Sequence, residues 1–220
     1  MIVVGDRFER FLLNRDTMAV SALLASGRVT RPVVVGQGLS AEQLREVDGP
    51  VPAPPHLTHK EHQKNVMIGE PIRTGDDAFA VDLVVDERVE VLEDHLTGQH
   101  IPAIVLTEAA RQTWTAVTER FLLADHGGRF VIDSLSSVFR RYVFPLPATL
   151  HYRLVHRHST AVEEVFRCVV TVQQCGRVAA EFEAGYRVIS LAICEKQEAM
   201  AARQAVAECI ATEGAVTWQP

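Results

Sequence analysis

DHLTGQHIPAIVLTEAARQTWTAVTERFLL, residues Asp94 to Leu123, is the stretch whose reading decides the fold. A short polar segment carrying His95 and His100 leads into Pro102, and no Gly or Pro interrupts the chain from Ala103 to Leu123. Proline is tolerated at a helix start because its missing N–H would have no intrahelical partner there. A long helix is therefore predicted to begin at Pro102. It opens apolar on nearly every side, through Ile104, Val105, Leu106, Ala109 and Ala110, and turns amphipathic later through Trp114, Val117, Phe121 and Leu122. A helix apolar all round is a buried helix. Glu108 and Arg111 lie within it. A carboxylate so placed must be paired, protonated or used, because an isolated buried charge is expensive.

The segments flanking this helix are strand-like. Upstream, Asn65–Gly69 is short and apolar, and Ala78–Val85 alternates with Phe79, Val81 and Leu83 on one face. Downstream, Gly127-Gly128 makes a turn, and four runs follow: Arg129–Tyr142, Thr149–His158, Glu163–Gln173 and Arg177–Ser190. Period-2 alternation is plain in Val165–Val172 and Ala180–Val188. The connections are too short for crossover helices, so an antiparallel meander is predicted. One face of that sheet needs a cover, and the long helix is the only element available before the C-terminus. An antiparallel sheet curled around one central helix is the hotdog architecture, an α+β fold.

The two ends of the chain read differently. Residues 1–50 predict a small α/β unit: Met1–Val4 and Val33–Val35 are β-rich runs closed by Gly5, Gly36 and Gly38. Phe8, Phe11, Leu12, Val20, Leu23 and Leu24 recur between them at helix-like spacing. Ser40 with Gln43 three residues on matches a capping box and opens a second helix. Neither glycine turn matches a dinucleotide or phosphate-loop pattern, so both read as turns. Prolines crowd Asp48–Pro55, which predicts a linker at 51–57 ahead of a hotdog domain at 58–190. Residues 191–220 form a C-terminal helix and tail. That helix is expected to pack on the outer side of the sheet or on a partner.

The totals narrow the class. The chain has 220 residues, one large domain with an appendage by length, and a 47% hydrophobic fraction that suits a proper core. Lys+Arg 22 against Asp+Glu 28 gives a formal charge of −6, which argues against nucleic acid as partner. No window is long and apolar enough for a membrane span, and MIVVGDRFER is not a secretory signal. Cys168, Cys175, Cys194 and Cys209 form no C-x-x-C pair, and are expected to be reduced thiols in a cytoplasmic protein.

Asp94-His95, Gln99-His100-Ile101-Pro102-Ala103 and Glu108-Ala109-Ala110-Arg111-Gln112 together resemble the A-factor biosynthesis (AfsA-type) hotdog family. Thr58-His59-Lys60 and Asn65-Val66 resemble that family's approach to its first strand, so the likeness spans roughly His59 to Ser190. More distantly the helix resembles that of β-hydroxyacyl-thioester dehydratases, with His95 in the histidine place and Glu108 in the acidic place. Ala103 stands where those families usually carry glycine. The resemblance implies an acyl thioester on acyl carrier protein or CoA, no cofactor, and a homodimer with paired helices and sheets joined edge to edge. It tilts the reaction toward acyl transfer to a small hydroxylated acceptor, as in butyrolactone-type signal synthesis in secondary metabolism. Dehydration or hydrolysis through His95 and Glu108, or a non-catalytic acyl-binding module, are the alternatives.

On that picture the thioester carbonyl sits at Pro102, Ala103 and Ile104, where backbone N–H groups lack intrahelical partners and the helix dipole is positive. His95 or His100 moves a proton. Glu108, if desolvated, has a raised pKa and acts as acid or base, whereas a pair with Arg111 would keep it ionised. Arg111 could also hold a phosphate. Gln112 reads as a hydrogen-bonding core residue beside the substrate. His56, His59 and His62 recur every third residue without a ligand motif, and no metal site is expected. His151, His156 and His158, interleaved with Arg153 and Arg157, read as a wet sheet face or a basic edge for an acidic carrier.

Overall fold

A computed structural model describes residues 1–27, 32–92, 97–124 and 127–214. The N-terminal part contains β1 (Ile2–Val4), β2 (Thr17–Ala19), α1 (Val20–Ser26), β3 (Val34–Val35) and α2 (Ala41–Glu46). There follow α3 (Pro55–Thr58), β4 (Ile72–Arg73), β5 (Ala78–Asp82) and the central helix α4 (Ala103–Val117), which continues as a π-helical turn over Thr118–Leu122. The rest is β6 (Arg129–Phe139), β7 (Thr149–Ser159), β8 (Glu163–Gln174), β9 (Arg177–Ile189) and α5 (Leu191–Gly214). Among the described residues, no helix is long and apolar enough to cross a membrane.

Six strands make one antiparallel sheet in the order β4-β5-β7-β8-β9-β6, and it curls around α4. The predicted hotdog is the fold of the protein. Alternation builds the inner face: Phe166, Cys168, Val170 and Val172 of β8 and Ala180, Phe182, Ala184 and Tyr186 of β9 are all buried. The β8–β9 hairpin turns on Cys175 (φ 50°) and Gly176 (φ 71°). Two left-handed residues in succession match the right-handed twist of the flanking strands, and the second position favours glycine. Bulges between Ile132 and Ser134 and between Leu154 and His156 add further local twist.

The burial of α4 differs from the sequence reading. Its first turns carry the accessible residues, with Ala103 and Ile104 exposed and Thr107, Glu108 and Arg111 half-buried. Every residue from Gln112 to Glu119 is buried. The polar residues of that half hide themselves through the helix backbone or the core. Thr113 donates to the Ala109 carbonyl (2.8 Å) and Thr115 to that of Arg111 (2.9 Å), so their hydroxyls cost nothing unsatisfied.

Residues 1–50 form a parallel sheet, β2-β1-β3, with Ser40 and Gln43 closing the capping box as predicted. Strand β2 interrupts the helix expected between Phe8 and Leu24. Phe8, Phe11 and Val4 instead join the same apolar cluster as α4 and the large sheet. The glycine turns are close approaches: a Cβ on Gly5 would lie 2.5 Å from the Gly38 carbonyl oxygen. The buried Gln37 bolts this unit to the domain, its Nε2 donating to the carbonyls of Leu83 (2.9 Å) and Leu146 (3.3 Å) while its Oε1 accepts from Val85 N–H (2.8 Å). The proline-rich segment is also tied in. Pro52 bridges Gly69, Ala53 is buried, and Pro55 opens α3, since a helix start has no need of the N–H that proline lacks.

Two other elements depart from expectation. The Asn65–Gly69 run is a 3-10 turn (Gln63–Asn65) followed by single bridges at Ile68 and Gly69, because its polar groups are engaged by α4 instead of a neighbouring strand. Of the two places expected for helix α5, the outer side of the sheet or a partner, the first is not where it lies. Beyond Cys194 it is exposed to Thr212, for its apolar residues are scattered around its girth and make no single face to bury.

Replacing Gln37 by Ala leaves the Leu83 carbonyl and the Val85 N–H without a partner, while the Leu146 carbonyl keeps Gln174 Nε2. Urea unfolding should show a loss of about 2 kcal/mol, with an unchanged m-value.

Candidate functional site

Glu108 stands one turn inside α4 with its carboxylate ringed by donors. Arg111 reaches back one turn, Nε to Oε2 (2.8 Å) and Nη2 to Oε1 (2.9 Å). Lys60 Nζ lies 2.7 Å from Oε1, and Gln112 Nε2 donates to the same oxygen at 3.0 Å. The side chains of Glu108, Arg111 and Lys60 are 21%, 25% and 27% exposed, a partly desolvated cluster. Burial pushes the Glu108 carboxyl up, but the Arg111 guanidinium, aided by Lys60 and Gln112, outweighs it and holds the group at about 2 against an ordinary 4.5. The raised pKa considered from sequence is thus replaced by a lowered one. Near neutrality Glu108 is a carboxylate with no proton to give and its lone pairs engaged.

The same donors fasten the preceding chain to α4. Arg111 Nη2 donates to the Thr58 carbonyl (3.0 Å), Gln112 Nε2 to that of Asn65 (2.8 Å), and Gln112 Oε1 accepts from Met67 N–H (2.8 Å). The guanidinium fork of Arg111 therefore faces protein groups, where a phosphate role had been considered. Gln112 is fully buried and acts as the core hydrogen-bonding residue read from sequence.

The N-terminal end of α4 is open. Pro102 caps it in extended conformation (ψ 151°), and among the described residues the N–H groups of Ala103 and Ile104 meet no acceptor. Beside them lies a cavity of about 340 Å³, walled by Ile101, Leu106, Phe139 and Val143 and rimmed by His100, Arg140, Arg141 and Tyr142. His100 is half-buried, its ring 4.8 Å from that of Tyr142 and its Nδ1 3.2 Å from Thr97 Oγ1. That leaves Nε2 without a partner among the described residues. The structure so brings His100, Pro102, Ala103 and Ile104 to one place. It gathers Glu108, Arg111 and Gln112 in a second cluster along the same helix. His95 lies outside the described residues.

Three features escaped the sequence reading. Lys60, the third donor to Glu108, is far upstream in the chain. His59, taken as solvated or structural, sits at φ 54° with Nε2 3.0 Å from Oε1 of Glu119, a carboxylate only 7% exposed. The argument that singled out Glu108 applies equally to Glu119, an acid inside an apolar helix, and would have found it. The third is a buried hydroxyl cluster at the far end of α4: Thr118 Oγ1 is 2.6 Å from Tyr186 OH, itself 3.3 Å from Tyr152 OH. Burial pushes both phenols well above their ordinary range and the Cys168 thiol up to about 12, so these groups stay neutral. Among the described residues, no cluster of three or more His, Cys, Asp or Glu is placed to hold a metal.

A model of the A-factor biosynthesis hotdog domain matches residues 42–190. No curated protein sequence matches the chain. Similar solved structures include a thioesterase from Haemophilus influenzae, at 14% identity, covering 70% of this chain and 92% of that one, with a TM-score of 0.43. Others are AziG of S. sahachiroi (19% identity, 55% and 90% covered, TM-score 0.38) and the PaaI protein of the E. coli phenylacetic acid degradation operon (18%, 53% and 80%, 0.37).

The Glu108 cluster predicts a pH dependence. Its folded pKa is depressed, so its contribution is complete above the ordinary 4.5 and is lost as pH falls toward about 2. Glu108→Gln should lower stability at pH 7 by about 2 kcal/mol, and the gap from wild type should close across that acid window in denaturant titrations.

Proposed function

The chain belongs to the A-factor biosynthesis hotdog domain family, and from that premise we propose that it binds an acyl thioester and transfers the acyl group to a small hydroxylated acceptor, as butyrolactone-type signal synthesis requires. The observation that carries this reading is the cavity at the start of α4. Its apolar walls suit an acyl or thioester segment, and two N–H groups without acceptors stand at its edge. In a site that excludes water, such donors stabilise a developing oxyanion by a few kcal/mol.

The chemistry follows from what each group can do. The acceptor's O–H proton passes to Nε2 of His100, whose Nδ1 is held by Thr97. The acceptor oxygen forms a bond to the thioester carbon, and the carbonyl oxygen takes the charge toward Ala103 and Ile104 N–H. The C–S bond then breaks, and the departing thiolate recovers the proton from His100, leaving an ester and a free thiol. Imidazole suits both transfers near neutral pH. Glu108 takes no part in proton transfer. It fixes the helix that carries the N–H pair. Dehydration would ask a carboxyl to gain and lose a proton near neutrality, and the low pKa of Glu108 counts against it.

A second copy of the chain completes the picture as a homodimer. Strand β6 is an eleven-residue edge with no further strand beside it among the described residues. Ile132, Leu135 and Phe139 share its inner face with buried β9 residues, yet are 47%, 43% and 43% exposed. A long apolar edge invites pairing, and twofold self-pairing is the commonest form.

Two measurements test this reading. Intact mass spectrometry is run on acyl carrier proteins bearing β-ketoacyl, β-hydroxyacyl or saturated chains, with and without a hydroxylated acceptor such as dihydroxyacetone phosphate. Acyl loss only with acceptor is the expected result, slowed about a hundredfold or more in His100→Ala. Loss of one water from the hydroxyacyl carrier would point to dehydration, acyl loss without acceptor to hydrolysis, and no change at all to a binding module. Light scattering at micromolar concentration should give twice the chain mass, and Leu135→Arg should shift it to monomer; a monomeric wild type refutes the dimer.

A further inference from the structure

The cavity at the start of α4 has a neighbour. Arg141 and Tyr142 line it on one side and a second cavity of about 460 Å³ on the other. The second is closed by Phe144, Leu146, Gln174, Cys175, Arg177 and Ala179. Together the two linings carry three guanidiniums, Arg140, Arg141 and Arg177, and not one carboxylate, in a chain with six more acids than bases. Arg140 reaches Glu181 only at 3.6 Å. Arg141 and Arg177 have no charged or hydrogen-bonded side-chain partner among the described residues.

These cations stand on firm backbone. The N–H groups of Arg140 and Arg141 both donate to the Ala179 carbonyl, at 2.8 and 3.1 Å. Arg177 follows the tight Cys175–Gly176 turn, so the hairpin end that presents it is stiff. Like charges held close without counter-charge repel, and an anion between them relieves that repulsion. A guanidinium fork also matches phosphate oxygens in pairs. The Arg111 guanidinium, by contrast, is engaged by Glu108 and Thr58, as described.

We propose that the second cavity binds the phosphate of a pantetheine-type arm whose thioester end occupies the first, with Arg141 and Arg177 as its ligands and Arg140 in support. This rests on the thioester reading above and adds the group by which the carrier is held. The arm's phosphate is common to CoA and to a carrier protein, so the site serves either source. Tyr142, 71% exposed between the cavities, lies along the path of the arm.

The test is calorimetric titration of the full chain with pantetheine, 4′-phosphopantetheine, CoA, and a carrier protein with and without its arm. Phosphopantetheine should bind about tenfold or more tightly than pantetheine, as a charge-assisted contact implies. Arg141→Ala and Arg177→Ala should each erase most of that difference with an unchanged circular dichroism spectrum, and Arg177→Ala, which lines the second cavity and not the first, should leave pantetheine binding as it was. Arg153→Ala, on the outer face of the sheet, should change nothing. Whichever of CoA and the armed carrier binds tighter identifies the source. Equal affinity for pantetheine and its phosphate, an armless carrier binding as well as the armed one, or a phosphate preference that survives both variants overturns the proposal. Any of these can occur while acyl transfer proceeds, and a phosphate preference without transfer would sink only the transferase reading.

Discussion

The carboxylate of Glu108 is a charge set inside the central helix, and the geometry of the domain answers it. Taking one carboxylate out of water costs several kcal/mol unless donors replace the lost hydration. Here they come from Lys60, Arg111 and Gln112. Arg111 and Gln112 then have capacity left for Thr58, Asn65 and Met67. From Met67 the chain is handed on, its carbonyl accepting from Val84, while Ile68 accepts from Ala53 and Asp82 from Gly69. A run of hydrogen bonds thus leads from one helical acid to the proline-rich segment, the flank of β5 and, through Gln37, the N-terminal sheet.

This arrangement divides α4 into two ends with different duties. The middle and far end are pinned by charge, by the Glu119–His59 pair and by an aromatic stack of Trp114, Phe166 and Phe130 on Tyr186. The near end, from Pro102 to Ile104, is left accessible beside an apolar cavity. The N–H pair proposed to receive an oxyanion would need fixed direction, and a helix locked along its remaining length supplies that without a ligand having to order it. Glu108, Arg111 and Gln112, which look chemical in the sequence, therefore act as fasteners, and in the proposed reaction the oxyanion donors are backbone N–H groups.

Much of the fold was legible because it is written locally. Alternation in Val165–Val172 and Ala180–Val188 located β8 and β9, freedom from Gly and Pro located α4, and Ser40 with Gln43 located the cap of α2. Strands β2 and β4 were not, for they are too short to carry a period and, unlike β1 and β3, are not valine-rich runs closed by glycine. Nor was the fate of Glu108 fully legible. The Arg111 partner is one turn away and visible, but Lys60, which adds to the lowering, arrives from a distant segment. His100, Pro102, Ala103 and Ile104 could be placed together from sequence since they are neighbours. The arginines at the cavity rim could not, as the meander alone brings residues near 140 and 177 side by side. Helix α5 has helix-forming residues without a face, so its propensity was readable and its position was not.

Strand β6 has one more consequence, for the order in which the protein acquires its shape. Among the described residues its only partner is β9, in a register running from Phe139↔Ala180 out to Arg129↔Ile189. β9 is the last strand of the sheet, so a chain emerging from the ribosome holds β6 and the apolar side of α4 uncovered until β7, β8 and β9 have followed. Closing such distant pairs costs loop entropy before any contact repays it, which slows folding and lengthens the exposure of sticky strands. Helix α5, with Glu195, Lys196, Glu198, Arg203 and Glu208 exposed along its length, trails directly behind β9. Exposed beyond Cys194, it adds no cover to β6 or α4 when it follows.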